Sequence, residues 1–396
     1  MHILEIPSFL PPYGGLFCID QSRALQLLGH TVRVLHCQQL GVTVYPWHYV
    51  TAPFCRYEES LEGGRGKRLL LFRTNMRGMP YCIRLNQRRY CHIITEMFDT
   101  YVSRYGMPDV IHAHCCQWAG TAADILNRRF GVPFVITEHL STGMYRDIYG
   151  EGWRGHEWAC ELLADTYRHA ACVVTVSARL MDDMAEMFGI ECRHATVSNV
   201  IDTRFFRYKK REPLSRRPFR FCCLAVANGA FLHLKGYDTL LEAFGRVSNA
   251  ELHIAGRATD TARMRRMVTE KAGLNGGNVV LHGDLQKPDV LRLLYHCDAL
   301  VLASRSEAQP LVILEALSTG IPAVTTDAVP LDERYGNAVL SCPAGDAAAF
   351  AKNMDAVRRH RPSPLLHDIV CDIASPEKVA KQIENVLSDA IRRAGR

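Results

Sequence analysis

The sequence predicts an α/β protein built from two doubly wound, parallel-sheet domains. Three observations carry this. Short apolar runs alternate with longer amphipathic segments along the whole chain. The alternation is interrupted once, by a basic, proline-containing stretch near the middle. The length of 396 residues suits two domains of ordinary size.

Strand-like runs come first at His2–Ile6, Val32–His36, Val110–Ala113, Phe134–Thr137 and Cys172–Val176. A second series runs through Phe221–Val226, Leu252–Ala255, Val279–Leu281, Ala299–Ala303 and Ala323–Thr325. Between them, Phe17–Leu28, Thr121–Arg129, Tyr237–Val247 and Val290–His296 show helical periodicity. The interruption, Phe206–Arg220, reads FRYKKREPLSRRPFR and is taken as a linker whose charge keeps it solvated. The expected domains are residues 1–205 and 219–375, joined by a linker at 206–218 and followed by a terminal helical segment at 376–396. A second basic stretch, Arg65–Arg89, mixes in LLLF and MPYCI and reads as a solvated loop and helix. Such a stretch can also rest weakly on an anionic membrane surface.

Hydrophobic residues make up 48% and charged residues 22%, an ordinary globular balance. The formal charge of +6 points to anionic small molecules or an anionic surface, not to nucleic acid. The 15 cysteines are odd in number and scattered, with no two-residue gap of a zinc or redox motif. They read as reduced core residues of a cytoplasmic protein. MHILEIPSFL has no basic residues ahead of its apolar stretch, so it reads as a buried strand and not a signal peptide. No apolar run approaches the ~20 residues of a membrane helix. The expectation is a cytoplasmic protein, in solution or resting on the inner membrane face.

In open α/β sheets, ligands bind beyond the carboxyl ends of the strands. The candidate residues fall at such places. Pro11-Pro12-Tyr13-Gly14-Gly15 follows the first strand, and its glycines let backbone N–H groups approach an anion. His112-Ala113-His114 ends another strand. Residues two apart share a face, so with Glu138 and His139 a metal site is conceivable, but no third ligand has convincing spacing. A single ligand-facing role for His114 is the better reading. Gly150-Glu151-Gly152-Trp153-Arg154-Gly155 matches a dinucleotide fingerprint in letters alone, because the preceding MYRDIY is too polar for a buried strand. Lys235 begins a helix, where its side chain in the open would meet a phosphate as a point charge.

The densest signal is SRSEAQPLVILEALSTGIP, Ser304–Pro322. A buried strand leads into a polar loop, and a helix starts near Pro310 and stops at Gly320. Glu307 lies in the loop at the helix mouth. Glu315 lies on the helix, where it can accept two hydroxyl donors. The free N–H groups of the first turn favour a phosphate.

Taken in order, PPYGG, GHTVRVL, VIHAH, VITEH, VTVSARL, SNVIDTRFF, LKGYDTLLEAF, LHIAG, the glutamate pair and GIPAV resemble family 4 of the glycosyltransferases. The resemblance covers nearly the whole chain. It implies the GT-B fold, two Rossmann-like domains facing across a cleft, with the final helix, Pro376–Ile391, crossing back to the first domain. It implies a retaining, metal-independent transferase that moves a sugar from a nucleotide-diphosphate-sugar donor to an acceptor hydroxyl. Polysaccharide, glycolipid or glycoside assembly would be its setting, with a carbohydrate or lipid-linked acceptor. No cofactor and no metal are expected, and no nucleic acid partner. By motif, His114, Lys235 and Glu307 are the catalytic residues. Gly14, Gly15, Asn228, Gly256, Gly283, Pro310, Leu311, Val312 and Glu315 contact the donor, and His139 stands on the acceptor side.

Two positions depart from the family pattern. Asn228 stands where relatives often carry an arginine, which places more weight on Lys235. Ala308-Gln309-Pro310 replaces a glycine-containing turn, and Pro310 has no N–H to donate. The chain also contains no Asp-x-Asp, the metal-holding motif of the other major glycosyltransferase fold. A nucleotide-sugar epimerase and a non-catalytic nucleotide-binding module are the alternatives. The context of the glutamate pair favours a transferase over the first. The joint presence of His114, Lys235, Glu307 and Glu315 speaks against the second.

Overall fold

The computed structural model describes residues 1–12, 14–42, 46–52, 54, 56–63, 66–149, 156–210, 217–229 and 231–395. Tyr13, Arg65, the G-x-G-x-x-G match at 150–155 and residues 211–216 lie outside these. The chain divides into two compact units, Met1–Val200 with Pro376–Arg396, and Ile201–Ser375.

In the first unit the elements run β1 (His2–Pro7), α1 (Leu16–Leu27), β2 (Thr31–Gly41), α2 (Pro46–Thr51), β3 (Tyr57–Glu62), β4 (Arg68–Gly78), α3 (Ile83–Tyr105) and β5 (Val110–His114). They continue with α4 (Thr121–Phe130), β6 (Phe134–Glu138), α5 (Thr142–Tyr149), α6 (Glu157–His169), β7 (Cys172–Thr175), α7 (Ala178–Phe188) and β8 (His194–Thr196). The sheet order is β3-β4-β2-β1-β5-β6-β7-β8. Only β3 runs antiparallel to its neighbour. β1, β5 and β6 are buried almost throughout because helices cover both faces of a parallel sheet.

The second unit holds β9 (Phe219–Leu224), α8 (Phe231–Leu234), α9 (Tyr237–Phe244), β10 (Ala250–Ala255), α10 (Ala262–Ala272), β11 (Val279–Gly283) and α11 (Lys287–His296). After these come β12 (Ala299–Leu302), α12 (Leu311–Ser318), β13 (Ala323–Thr326), β14 (Val339–Cys342), α13 (Ala347–Val357) and α14 (Pro364–Ala374). The order β11-β10-β9-β12-β13-β14 is parallel throughout. Successive residues of β9 serve opposite cores. Phe221 and Cys223 meet Tyr237, Phe244 and Phe350, whereas Cys222 and Leu224 meet Leu300, Leu314 and Leu317. In both sheets the strand order reverses beside the first strand, which opens a crevice at the carboxyl ends of β1/β5 and of β9/β12.

The terminal helix α15 (Pro376–Arg393) belongs to the first unit. Its Val379, Ile383 and Leu387 are fully buried against Ile19, Leu25 and Val34. Glu384 meets His30 at 2.9 Å, and Asp389 meets Arg193 at 2.7 Å.

The stretch Arg65–Arg89 departs from its expectation as a solvated loop and helix. Most of its first half is β4, a long strand paired with β2 and β3. Leu69, Leu71, Phe72 and Met76 are core residues, and Arg73 is itself buried, bonded to Glu59 and to the Pro11 carbonyl. The arginines mask the strand pattern because one of them points inward to a carboxylate and a backbone acceptor. β3, β8 and β14 also lie outside the strand-like runs read from sequence. β3 is half-exposed and β8 has only three residues, so neither shows a strong apolar signature. Among the described residues, no helix is long and apolar enough to cross a membrane.

Leu387→Ala should lower the unfolding free energy by about 2–5 kcal/mol, the range for emptying a buried leucine site. Denaturant unfolding followed by circular dichroism checks this; an unchanged midpoint would mean that α15 is not part of the first unit's cooperative core.

Candidate active site

In the second unit the site is assembled where β12 ends beside β9. Gly236 precedes α9 with φ of 62°, and a Cβ there would lie 1.9 Å from the Ala303 carbonyl oxygen. Only glycine allows this approach, and it sets the adjacent Lys235 against the loop after β12. Arg305 locks the arrangement. It forms a two-bonded pair with Asp238 at 2.8 Å, donates to the His233 carbonyl at 2.7 Å, and its own N–H bonds the Leu234 carbonyl at 2.7 Å. The short helix α8 thus occupies part of what reads as a loop at Asn228–Leu234.

Lys235 Nζ donates to Glu307 Oε1 at 2.5 Å, and Ser304 Oγ donates to the same oxygen at 2.7 Å. The side chains are 20% and 9% exposed, so Lys235 does not stand in the open as expected but is half enclosed by an ion pair. α12 begins at once after this loop. Its N-cap, Pro310, offers no capping side chain, so the first-turn amides at Leu311 and Val312 keep their donor character. Glu315 follows by three and four residues and shares their half-buried face, while Ile313, Leu314, Ala316 and Leu317 point into the core.

Two further glycines close the carboxyl edge of β10 and β11. Gly256 N–H bonds the Gly283 carbonyl at 2.7 Å, and a Cβ on Gly256 would lie 2.2 Å from the Ala225 oxygen. Asn228 is exposed, and its carbonyl accepts from Phe231 N–H at 3.0 Å to start α8. The unit therefore brings Lys235, Glu307, the α12 terminus and Glu315 together around one strand-order reversal. A cation, a set of helix N–H groups and two carboxylates suit a diphosphate joined to polyols.

In the first unit, Gly15 is the N-cap of α1 with φ of 74°, and a Cβ there would lie 2.1 Å from the Phe9 carbonyl oxygen. Gly14 is exposed with φ of 107°. His114 is placed differently from its expected ligand-facing role. It is 1% exposed, with Nε2 at 2.7 Å from Glu5 and Nδ1 at 3.1 Å from His139 Nε2. His112, its neighbour on the same face, lies 3.1 Å from Glu5 and 2.7 Å from Thr137. Burial alone would raise the Glu5 pKa, but the two imidazoles outweigh it and hold the carboxyl at about 2. Burial drives His114 and His139 below the usual imidazole range. With Glu5 ionised, His114 donates through Nε2 and accepts through Nδ1 from His139. The ligand atoms of Glu5, His112 and His114 fall within 4.8 Å of one another, and these hydrogen bonds account for that closeness. His139 packs against Phe17 in a tilted arrangement, with centroids 4.1 Å apart. His114 thus reaches a ligand only through its neighbours.

The buried carboxylate of Glu138 is a residue whose part the sequence conceals. It accepts from the backbone N–H groups of Cys116, His139 and Leu140 at 3.0, 2.9 and 2.8 Å, and from the hydroxyls of Tyr145 and Tyr167 at 2.9 and 2.8 Å. Asp238 and Arg305 escape notice for the same reason. Their partners lie about 67 positions apart in the chain, and no local pattern announces them.

The chain matches two family models, a glycosyl transferase 4-like domain over residues 18–199 and glycosyl transferases group 1 over residues 222–360. It is 25% identical over 342 residues to TuaC of Bacillus subtilis, named as a teichuronic acid biosynthesis glycosyltransferase, covering 83% of this chain and 81% of TuaC. Sucrose-phosphate synthase from Thermosynechococcus elongatus superposes with a TM-score of 0.78 at 16% identity, over 99% of this chain and 100% of that one. A trehalose-6-phosphate structure from E. coli, bound with UDP-2-fluoro glucose, superposes with a TM-score of 0.70 at 10% identity, covering 97% and 98%. The chain belongs to the group 1 glycosyltransferases of the GT-B fold, and its activity is that of a glycosyltransferase.

Glu138→Gln replaces an acceptor that faces only donors with a group half of which donates. It should destabilise the protein by about 3 kcal/mol or more, the scale of breaking a buried charged network. A melting temperature within a degree of wild type would show that the network contributes little.

Proposed function

We propose that this chain is a retaining, metal-independent glycosyltransferase using a nucleoside-diphosphate sugar. The observation that carries the reading is the Lys235–Glu307 pair set against the uncapped start of α12. Departure of a nucleoside diphosphate develops negative charge, and a preorganised cation with helix N–H groups stabilises it. Lys235 and the amides of Leu311 and Val312 take that role, and Pro310 leaves the helix mouth uncapped. Both hydrogen bonds to Glu307 fall on Oε1, so Oε2 is the oxygen offered to the sugar hydroxyls. Glu315 holds the ribose from the same helix face. Gly256 and Gly283 border the base, Asn228 stands at the leaving diphosphate where relatives often carry an arginine, and Gly14 and Gly15 line the donor phosphates or the acceptor edge. His114 acts as a positioning residue behind His139, which faces the acceptor. Retention follows from attack on the face that the diphosphate leaves, without a protein nucleophile. TuaC's naming for teichuronic acid biosynthesis supports a place in polysaccharide assembly, and the UDP-2-fluoro glucose bound by the E. coli neighbour supports a nucleotide-sugar donor.

Transfer from the active donor of a nucleotide-sugar panel should persist in excess chelator. Lys235→Ala should lower turnover by roughly 100-fold, as for loss of one oxyanion donor. It should also reduce stability, because Glu307 loses its partner. Activity that vanishes with chelator and returns with magnesium or manganese, or a Lys235→Ala variant of normal turnover, would overturn the assignment.

The two glutamates should separate kinetically. The ribose is unchanged in the reaction, so Glu315→Gln should mainly raise the donor KM and weaken nucleoside diphosphate binding. The sugar gains positive charge as its bond breaks, so Glu307→Gln should mainly lower kcat. Nucleotide titrations and steady-state rates on both variants check this, and the opposite pattern would reverse the placement.

A further inference from the structure

The segment after β5 is held in an unfavourable conformation. Cys115 has φ of 69°, and Trp118 has φ of 70° with ψ of −78°. For residues with a side chain each such conformation costs of order 1–3 kcal/mol, and it persists only where surrounding structure imposes it. The imposing bonds are present. Cys115 N–H bonds the Thr137 carbonyl at 2.8 Å, Cys116 N–H bonds Glu138, and the Gln117 carbonyl accepts from Ser8 Oγ at 2.6 Å. They place the Gln117 side chain, 1% exposed, where neither its Oε1 nor its Nε2 has a hydrogen-bond partner among the described residues. An unpaired buried polar group costs a further ~1–3 kcal/mol.

Gln117 lines a pocket of about 180 Å³ at the carboxyl ends of β2 and β4. Gly41 and Gly78 leave the strand ends open, Met79 and Trp118 form apolar walls, and among the described residues no charged side chain is in the lining. Asn86, also in the wall, has its amide already bonded to both the N–H and the carbonyl of Met79 at 2.9 and 2.8 Å. The Trp118 ring is braced by Tyr90, with centroids 5.7 Å apart.

We infer that this pocket binds one uncharged sugar ring of the acceptor, with the Gln117 carboxamide as its specificity-determining group. The inference rests on the transferase reading and names the acceptor end of it. A carboxamide accepts at one atom and donates at the other, which matches two neighbouring hydroxyls that each give and take a hydrogen bond. The indole offers an apolar surface to the C–H face of the ring. The uncharged lining disfavours phosphorylated or carboxylated sugars. The volume lies below the ~300 Å³ at which drug-sized pockets begin, so it suits one ring and not a chain.

The test titrates methyl glycosides of glucose, galactose, mannose and N-acetylglucosamine against the full chain by saturation-transfer NMR. Glucose 6-phosphate and glucuronate serve as charged comparators. The expected result is saturable binding of at least one neutral glycoside, weakened about tenfold or more in Gln117→Met, the scale of losing its hydrogen bonds. The variant should melt no lower than wild type, because it removes an unpaired amide. Binding of none of the neutral glycosides, equal binding by the variant, or stronger binding of a charged sugar would overturn the proposal. Wild-type protein that turns over no nucleotide sugar but binds a glycoside through Gln117 would instead count against the transferase reading alone and uphold the sugar site.

Discussion

The first unit depends on the burial of a carboxylate at the end of β6. An ionised group without solvent is costly unless every lone pair finds a donor. Glu138 meets that demand with donors drawn from the loop after β5, from its own loop, and from the tyrosines of α5 and α6. The consequence runs outward from the bonds. The loops beyond two neighbouring strands cannot move independently, so His139 and the strained segment Cys115–Trp118 keep fixed positions. Glu5 repeats the device two strands away, on β1, where His112 and His114 satisfy it. The carboxyl ends of β5 and β6 therefore carry backbone, rings and amides supported from beneath by buried ionisable residues.

The second unit solves a related problem nearer the surface. Its charges at the strand-order reversal are partly exposed, and they are arranged in pairs that a ligand can divide. Arg305 and Asp238 form the fixed pair that ties the loop after β12 to α8 and α9. Lys235 and Glu307 form the adjustable one, whose partners a diphosphate and a sugar would replace. Gly236 links the two, because its contact with the Ala303 carbonyl sets the distance between Lys235 and the loop. The difference between the units fits the proposed reaction. A leaving diphosphate needs net positive potential, whereas an acceptor hydroxyl needs orientation.

The sequence by itself determined the fold class, because buried parallel strands and amphipathic helices leave periodic patterns that need no tertiary partner to be read. It also determined the glutamate pair around the start of α12, since a loop carboxylate, a helix start and a helix carboxylate lie within a dozen residues. β4 was hidden because its arginines suit a solvated segment until Glu59 is placed beside Arg73. Only the tertiary structure decided that Lys235 is paired with Glu307 and not open, that His114 lies behind His139, and that Glu138 and Arg305 organise their loops. Each of those facts rests on a contact between residues far apart in the chain, and the strength of a buried charge or amide is set by what surrounds it in space, which sequence order does not record.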